Sequence, residues 1–490
     1  MMPAHPPVVL LVYPIASTVA GPGLRGLVAG TLLALCGCAA VPPPSSVSSG
    51  VDVPPAWSAC DPGLCSPDQS WAQWWLRFDD PLLSTLVSQA LQTNTSVVGA
   101  DAALRQARAL RDVSAAGLGP TLDGSASAQR SQSGEGSASN NFRAGLDASW
   151  EIDVFGARRN ALNSSEASAQ ASAANLGDVQ VSIAAEVALS YIALRAAQAR
   201  LLIAQDNLAS QQETLQLTQW RLQAGLVSSL ESEQALGATE QTRAQLPALQ
   251  TSIEQSSHAL AVLTGQAPAS LATRLAAPIA VPQAPDALAL SIPAETLRQR
   301  ADVRAAEYQV LAAMGRVAQA DAARLPSFRL SGSLGLSAPT LGALTNGASL
   351  ASAVLAGVSV PLFDGGAGRA QVRAQQAAQD QSLSAYKAVV LTALKEVEDA
   401  LVALRGDRER LLRLQQASDA ASNAALMARQ RYDSGLIDFQ TVLSTQRSQL
   451  SSQDGVASAR AEVSADHVRL VKALGGGWQP DNSDGPSSAR

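Results

Sequence analysis

Between residues 142 and 154 the chain alternates without a break. Phe142, Ala144, Leu146, Ala148, Trp150, Ile152 and Val154 occupy one set of positions; Arg143, Gly145, Asp147, Ser149, Glu151 and Asp153 occupy the other. A period of two places the sets on opposite faces of a strand. The run is long for a globular strand and suits a tilted barrel strand with lipid outside and water inside. Phe328, Leu330, Leu334 and Leu336 alternate in the same way with Arg329, Ser331, Ser333, Gly335 and Ser337. Val354, Ala356, Val358, Val360 and Leu362 alternate with Leu355, Gly357, Ser359 and Pro361. A weaker strand over residues 121–130 is marked by Leu122, Ala126 and Ala128. The connections 131–141 and 338–352 are rich in Ser, Gly, Asn and Thr, as exposed loops are.

A second pattern surrounds the strands. Residues 158–224 contain no proline and one interior glycine, Gly177. A continuous helix of that length is a rod of roughly 100 Å. Val187, Leu194, Leu201, Leu208, Leu215 and Leu222 recur every seventh residue, which predicts supercoiled packing against neighbouring helices. Ala184, Ala197 and Ala204 permit close approach, while Gln205, Gln212 and Gln219 mark a wet face. Residues 368–434 form a second rod, with Val397, Leu404 and Leu411 in step before the pattern weakens to Ser418 and Ala425.

The two patterns belong to one internal repeat. A shift of 210 lays Glu186-Val187 on Glu396-Val397, Arg221 on Arg431, Gly225-Leu226 on Gly435-Leu436 and Gly265 on Gly475. Each half reads as helix, strand hairpin, long helix, tight turn, helix. Helices are expected over residues 83–116, stopped by Gly117-Leu118-Gly119-Pro120, and over 294–324, ending before Pro326. The expected division is an N-terminal tether and equatorial segment (39–82), a first repeat (83–265, hairpin 120–154), a linker (266–293), a second repeat (294–477, hairpin 327–363) and a disordered tail (478–490).

The start of the chain reads as an export signal. Arg25 precedes an apolar core over residues 26–35, too short for a membrane span. It ends in Leu35-Cys36-Gly37-Cys38, which resembles the lipobox of bacterial lipoproteins. Residues 1–38 are then the signal peptide, and Cys38 the acylated, palmitate-bearing first residue. A Pro/Ser tether follows from Val41. Cys60 and Cys65 are spaced for a possible local disulfide in an oxidising compartment. No later segment offers 18 uninterrupted apolar residues, so any crossing must be made by strands in a closed barrel.

Composition removes most other chemistry. Charged residues are 16 % and aromatic residues 4 % of the chain, and the only histidines are His5, His258 and His467. His258 and His467 have no Cys or His neighbour at ligand spacing, so no metal site is expected. A net charge of -6 leaves no basic footprint for nucleic acid. Gly366-Ala367-Gly368 lacks the third glycine of a phosphate loop, Gln371 standing there, and reads as a strand-to-helix junction. No cofactor and no catalytic residue is expected, and the chain is not read as an enzyme.

Four strands cannot close a barrel, and open edges are not tolerated in lipid. The pattern therefore demands copies of the same chain; that there are three, giving twelve strands, is what the resemblance below implies. Four motifs carry a family resemblance over about residues 74–478. They are Trp74-Trp75-Leu76-Arg77-Phe78-Asp79-Asp80-Pro81-Leu82, Trp150-Glu151-Ile152-Asp153-Val154-Phe155-Gly156, Ala301-Asp302-Val303-Arg304-Ala305-Ala306-Glu307, and Arg431-Tyr432-Asp433-Ser434-Gly435-Leu436-Ile437 with its partner Arg221-Leu222-Gln223-Ala224-Gly225-Leu226-Val227. They resemble the outer-membrane factor lipoproteins of tripartite efflux systems (TolC/OprM-like, NodT-type), although the family usually has Pro where Ala301 stands.

The resemblance implies a mainly α chain with a transmembrane β-barrel: a lipid-anchored homotrimer in the outer membrane whose long α-helical barrel extends into the periplasm. It further implies a periplasmic adaptor docked on the tips and an inner-membrane pump behind it, most often of the RND type. Arg221, Gly225, Leu226, Arg431, Gly435 and Leu436 are the expected docking residues. The aspartates with which the family often gates its aperture are replaced by Thr441 and Ser444. Asp438, Glu231 and Glu233 are the nearby acids that could take over that role, unless they only stabilise helix starts. Protein secretion through the same architecture and a purely structural lipoprotein are the competing readings.

Overall fold

The computed structural model describes residues 47–58, 72–132, 134, 138–284 and 293–478. Among them the strands are β1 (Thr121–Ser131), β2 (Ser139–Ile152), β3 (Ser327–Ala338) and β4 (Leu350–Ser359). The α-helices are α1 (Pro81–Thr93), α2 (Thr95–Ala116), α3 (Ala157–Gln223), α4 (Ser229–Arg243), α5 (Gln245–Leu263), α6 (Ala272–Leu275), α7 (Pro293–Gln299), α8 (Ala301–Ala322), α9 (Ala367–Asp433) and α10 (Phe439–Ala473). The compact units do not follow the repeats. One takes the strand-bearing segment of each half, residues 105–171 and 307–385; the other takes residues 49–104, 172–306 and 386 onward.

The first unit holds one antiparallel sheet in the order β1-β2-β3-β4. Its register carries the alternation across strands. Leu122, Ala148, Gly332 and Val354 form one row of partners, and Ala126, Ala144, Leu336 and Leu350 another. Trp150, Leu330 and Ala356 form a third row on the same face. The opposite face carries Ser127, Arg143 and Ser337, then Asp123, Asp147, Ser333 and Ala353. Leu122, Leu334, Leu350, Val354 and Val358 are all exposed in the single chain. Neither outer edge, β1 or β4, has a strand partner within the sheet.

β2 and β4 differ from the sequence expectation at both ends, β2 beginning at Ser139 inside the expected 131–141 connection. β2 stops at Ile152, because Asp153 turns to the start of α3 and accepts from the amides of Arg158 (3.1 Å) and Arg159 (2.9 Å). β4 spans 350–359 rather than 354–362. Pro361 has no amide for a ladder, and Gly365 and Gly366 adopt positive φ immediately after. Asp364 then accepts from the amides of Gly366 and Gly368 at 2.8 and 2.7 Å. These two amides hold its carboxyl below the usual range, Gly368 contributing most. The loop that resembled a phosphate cradle is filled by the chain's own carboxylate.

The long helices stand one residue from their expected bounds, and the helix before each hairpin is broken in two. The first break falls at Asn94, whose side chain accepts from Ser96 N at 2.8 Å and donates to Leu263 O at 2.9 Å. The second falls at Arg300, which donates to Ala473 O at 2.7 Å and pairs with Asp302 and Glu396. Beyond the tips the halves diverge. Pro247 has no amide hydrogen to donate to the Arg243 carbonyl four residues back, and its ring crowds that carbonyl, so α4 and α5 are separate. At the matching place α10 has Ala457 and runs unbroken.

The core of the second unit gathers Trp74, Trp75, Phe78, Leu83, Leu86, Val187, Tyr191 and Leu194. Asp80 organises it. Its carboxylate caps α1 through the amides of Leu82 and Leu83, at 2.9 and 3.0 Å, and accepts the Tyr191 hydroxyl at 2.8 Å. Burial, and then that bond, push the Tyr191 phenol up to about 12. The heptad stripe of α3 is fully buried at Val187 and Leu194, while Gln205, Gln212 and Gln219 are exposed. Gly177 lies beneath the Trp478 ring, where a Cβ would come within 2.3 Å of the indole. An 18-residue window of α3 is apolar enough to cross a membrane by length and composition, but half of it is buried in the fold.

Candidate functional site

Each tip is a helix ended by glycine. Gly225 has φ 70° and Gly435 φ 73°, the left-handed region that ends helices. Leu226 N donates to Arg221 O (2.8 Å) and Gly225 N to Leu222 O (2.9 Å). Leu436 N to Arg431 O and Gly435 N to Tyr432 O repeat the pair at 2.9 Å each. These are the two bonds of a Schellman cap. No atom lies within 4 Å of a Cβ built on either glycine, so backbone angle alone selects glycine here. The caps leave Leu226 and Leu436 each 73 % exposed at the apex.

The two arginines, equivalent in the repeat, differ in the structure. Arg221 reaches from α3 to the end of α9. Its guanidinium lies 4.5 Å from the Tyr432 ring centroid, makes long bonds to the carbonyls of Tyr432 and Asp433 (3.5 and 3.4 Å), and sits 3.7 Å from the Asp433 carboxylate. Both carbonyls lie in the last turn of α9, and that of Tyr432 also accepts the Gly435 amide of the cap. Arg221 therefore ties the two tips together. Arg431 is exposed and makes none of these contacts. Behind them the Tyr432 and Phe439 rings lie 5.4 Å apart and tilted by 52° within a cluster that includes Ala235, Ala238, Val442 and Leu443.

The three acids also separate. Asp438 is the N-cap of α10, accepting from the Thr441 amide at 2.8 Å and from the Thr441 hydroxyl. The hydroxyl first, and then the amide, hold its carboxyl below the usual range. Glu231, in the first turn of α4, accepts the Tyr432 hydroxyl at 3.4 Å. Glu233 is exposed. Thr441 and Ser444 turn their hydroxyls to Asp438 and to the Thr441 carbonyl. Tyr432, which links Arg221, Glu231 and Phe439, was not singled out by the sequence, because Leu222 stands at its repeat position. His258 is exposed; His467 is buried, its Nδ1 2.8 Å from Val463 O and its Nε2 3.0 Å from Arg408. Cys38, Cys60 and Cys65 lie outside the described residues.

A four-stranded sheet with one apolar face and two free edges, on a chain with two 67-residue helices, is the design of an outer-membrane channel. The solved structure of the outer-membrane channel OprN superposes with a TM-score of 0.83 at 36 % identity, covering 90 % of this chain and 99 % of that one. The chain belongs to the outer membrane efflux protein family, which matches it over residues 86–266 and 292–476, once in each repeat. The pyoverdine export outer membrane protein OpmQ of Pseudomonas putida is 33 % identical over 92 % of this chain and 97 % of its own length. The toluene efflux pump outer membrane protein TtgF, also of Pseudomonas putida, is 29 % identical over 91 % and 95 %. The chain is thus an outer-membrane efflux channel of a family of conduits, not enzymes.

Proposed function

We propose that three copies form a lipid-anchored exit duct that passively conducts small molecules delivered by an inner-membrane pump, of RND type, through a periplasmic adaptor. The carrying observation is the sheet. β1 and β4 leave their outer edges unpaired while the register keeps one face apolar and the other polar. In lipid such edges must be closed by further strands, and copies of the chain supply them, four per protomer. Each protomer then comprises the tether, two repeats and linker within the bounds given above. Cys38 carries the acyl anchor.

The adaptor docks on the tips. Gly225 and Gly435 set the turns, Leu226 and Leu436 present apolar surface, Arg431 presents a free charge, and Arg221 holds the pair in place. Of the acids, Glu233 is the best aperture candidate, since Asp438 serves as a cap and Glu231 is engaged by Tyr432. Relatives named for toluene efflux and pyoverdine export favour small organic cargo over secreted protein.

Planar-bilayer recording tests the reading. Purified protein should give discrete, long-lived conductance steps, and a deletion strain should become sensitive to small organic toxicants. A protein that never conducts would leave only the structural-lipoprotein alternative.

A further inference from the structure

The apolar face of the sheet ends in a charge. Its rows run from Ile152, Phe328 and Val358, beside the helices, to Ala128, Phe142 and Ala338 at the hairpin end. One row further out Arg130 stands opposite Asn140. Strand alternation puts both on the apolar face. Among the described residues Arg130 is the one charged group on that face. It is exposed and makes no ion pair with a described residue.

The height of the face fixes where this arginine lies. From Phe142 to Ile152 the strand β2 takes ten steps, 152 less 142. At about 3.3 Å per residue and a tilt of about 40° they climb roughly 25 Å. That is the full height of the lipid-facing band of a transmembrane barrel. Arg130 lies one row beyond it, at the level of the lipid headgroups. A cation facing hydrocarbon is costly, but at the boundary its apolar stem covers lipid while its head reaches polar groups.

We propose that Arg130, with Asn140 beside it, docks a phosphate of the phosphorylated glycolipid of the outer leaflet, lipid A, against each protomer. This placement rests on the reading above that the helical rods lie in the periplasm, which turns the hairpin ends to the cell exterior. The outer leaflet is the one that presents sugar-borne phosphates. A guanidinium meets phosphate oxygens with two parallel N–H donors. The Asn140 amide adds a neutral donor. Arg143 lies near the same end of the sheet but on its polar face, away from lipid, and takes no part.

The test titrates the full-length protein in detergent with bisphosphorylated lipid A, and in parallel with dephosphorylated lipid A and with phosphatidylglycerol. Native mass spectrometry counts bound lipid per chain. One lipid A should bind per chain in preference to both other lipids. Arg130→Gln should weaken it roughly fivefold, the loss expected for one cation at an anionic lipid surface. Arg130→Lys should keep most of the affinity, and Arg143→Gln should keep all of it. Planar-bilayer recording of the same preparations separates this contact from the reading beneath it. Channels that conduct but hold the three lipids equally, keep lipid A unchanged in Arg130→Gln, or lose it equally in Arg143→Gln would overturn the contact alone. Protein that never conducts would overturn the reading and the contact with it.

Discussion

Replacing Arg221 with alanine should loosen the tips, whereas replacing Arg431 should not. The Arg221 guanidinium faces the Tyr432 ring at 4.5 Å and the last carbonyls of α9 at 3.4–3.5 Å. A cation over an aromatic ring near the surface contributes about 0.5–1 kcal/mol. A cation at a helix C-terminus adds about 0.3–1 kcal/mol. The hydrogen bonds are long and the ion pair to Asp433 loose, so they add little beyond these. Arg221→Ala should therefore cost about 1–2 kcal/mol of local stability, which means roughly 5–30-fold faster amide exchange at the tip. Arg431 is exposed, and its alanine variant should stay within about 0.5 kcal/mol, roughly a twofold change. Hydrogen exchange with mass spectrometry over residues 215–240 and 430–445 measures both. Export should respond in the opposite order, with Arg431→Ala losing drug resistance while its exchange stays unchanged. Equal acceleration in the two variants, or acceleration at Arg431 alone, would refute the division between a tying and a presenting arginine.

Three further outcomes follow from the same structure. Gly225→Asp combined with Gly435→Asp, which forces side chains into left-handed positions at about 1–2 kcal/mol each and adds charge at the apex, should abolish export while the trimer still assembles; unchanged drug resistance would count against docking there. Gly177→Ala should destabilise by about 1–3 kcal/mol, because its Cβ would meet the Trp478 indole, and combining it with Trp478→Ala should cost less than the sum of the two in thermal unfolding. Asp178 has its carboxyl pushed up by burial and by neighbouring Asp302, so its ionised form opposes folding above its native pKa and the opposition is absent below the ordinary carboxylate value. Asp178→Asn should accordingly raise the unfolding midpoint at neutral pH, with the gain fading as pH falls through the carboxylate range.

The long helices and strands were readable because their signals are local. Period-two alternation, seven-residue spacing, Gly225 and Gly435 each act through the nearest turn or ladder. The bounds of α3 and α9 moved by one residue for that reason. What the sequence hid depends on distant partners. Neither Asn94 nor Arg300 is a helix breaker by type, and each break is held by a carbonyl far along the chain, Leu263 and Ala473 respectively. The repeat made Arg221 and Arg431 look alike, yet only Arg221 has an aromatic ring across from it, because position 222 is leucine and position 432 tyrosine. Pro247 was in plain view, and its effect on α4 and α5 could have been read from the missing amide alone.

The account rests on copies of the chain closing the sheet, and edge-to-edge crosslinking tests that most directly. Cysteines placed at Ser125 or Ser127 on β1 and at Ala351 or Ala353 on β4, with Cys60 and Cys65 changed to serine, would sit on the free edges. Oxidation in membranes should yield covalent dimers and trimers, with nothing larger, from the double variants and no trimers from either single variant. A chain that stays uncrosslinked, monomeric and soluble without detergent would contradict the account.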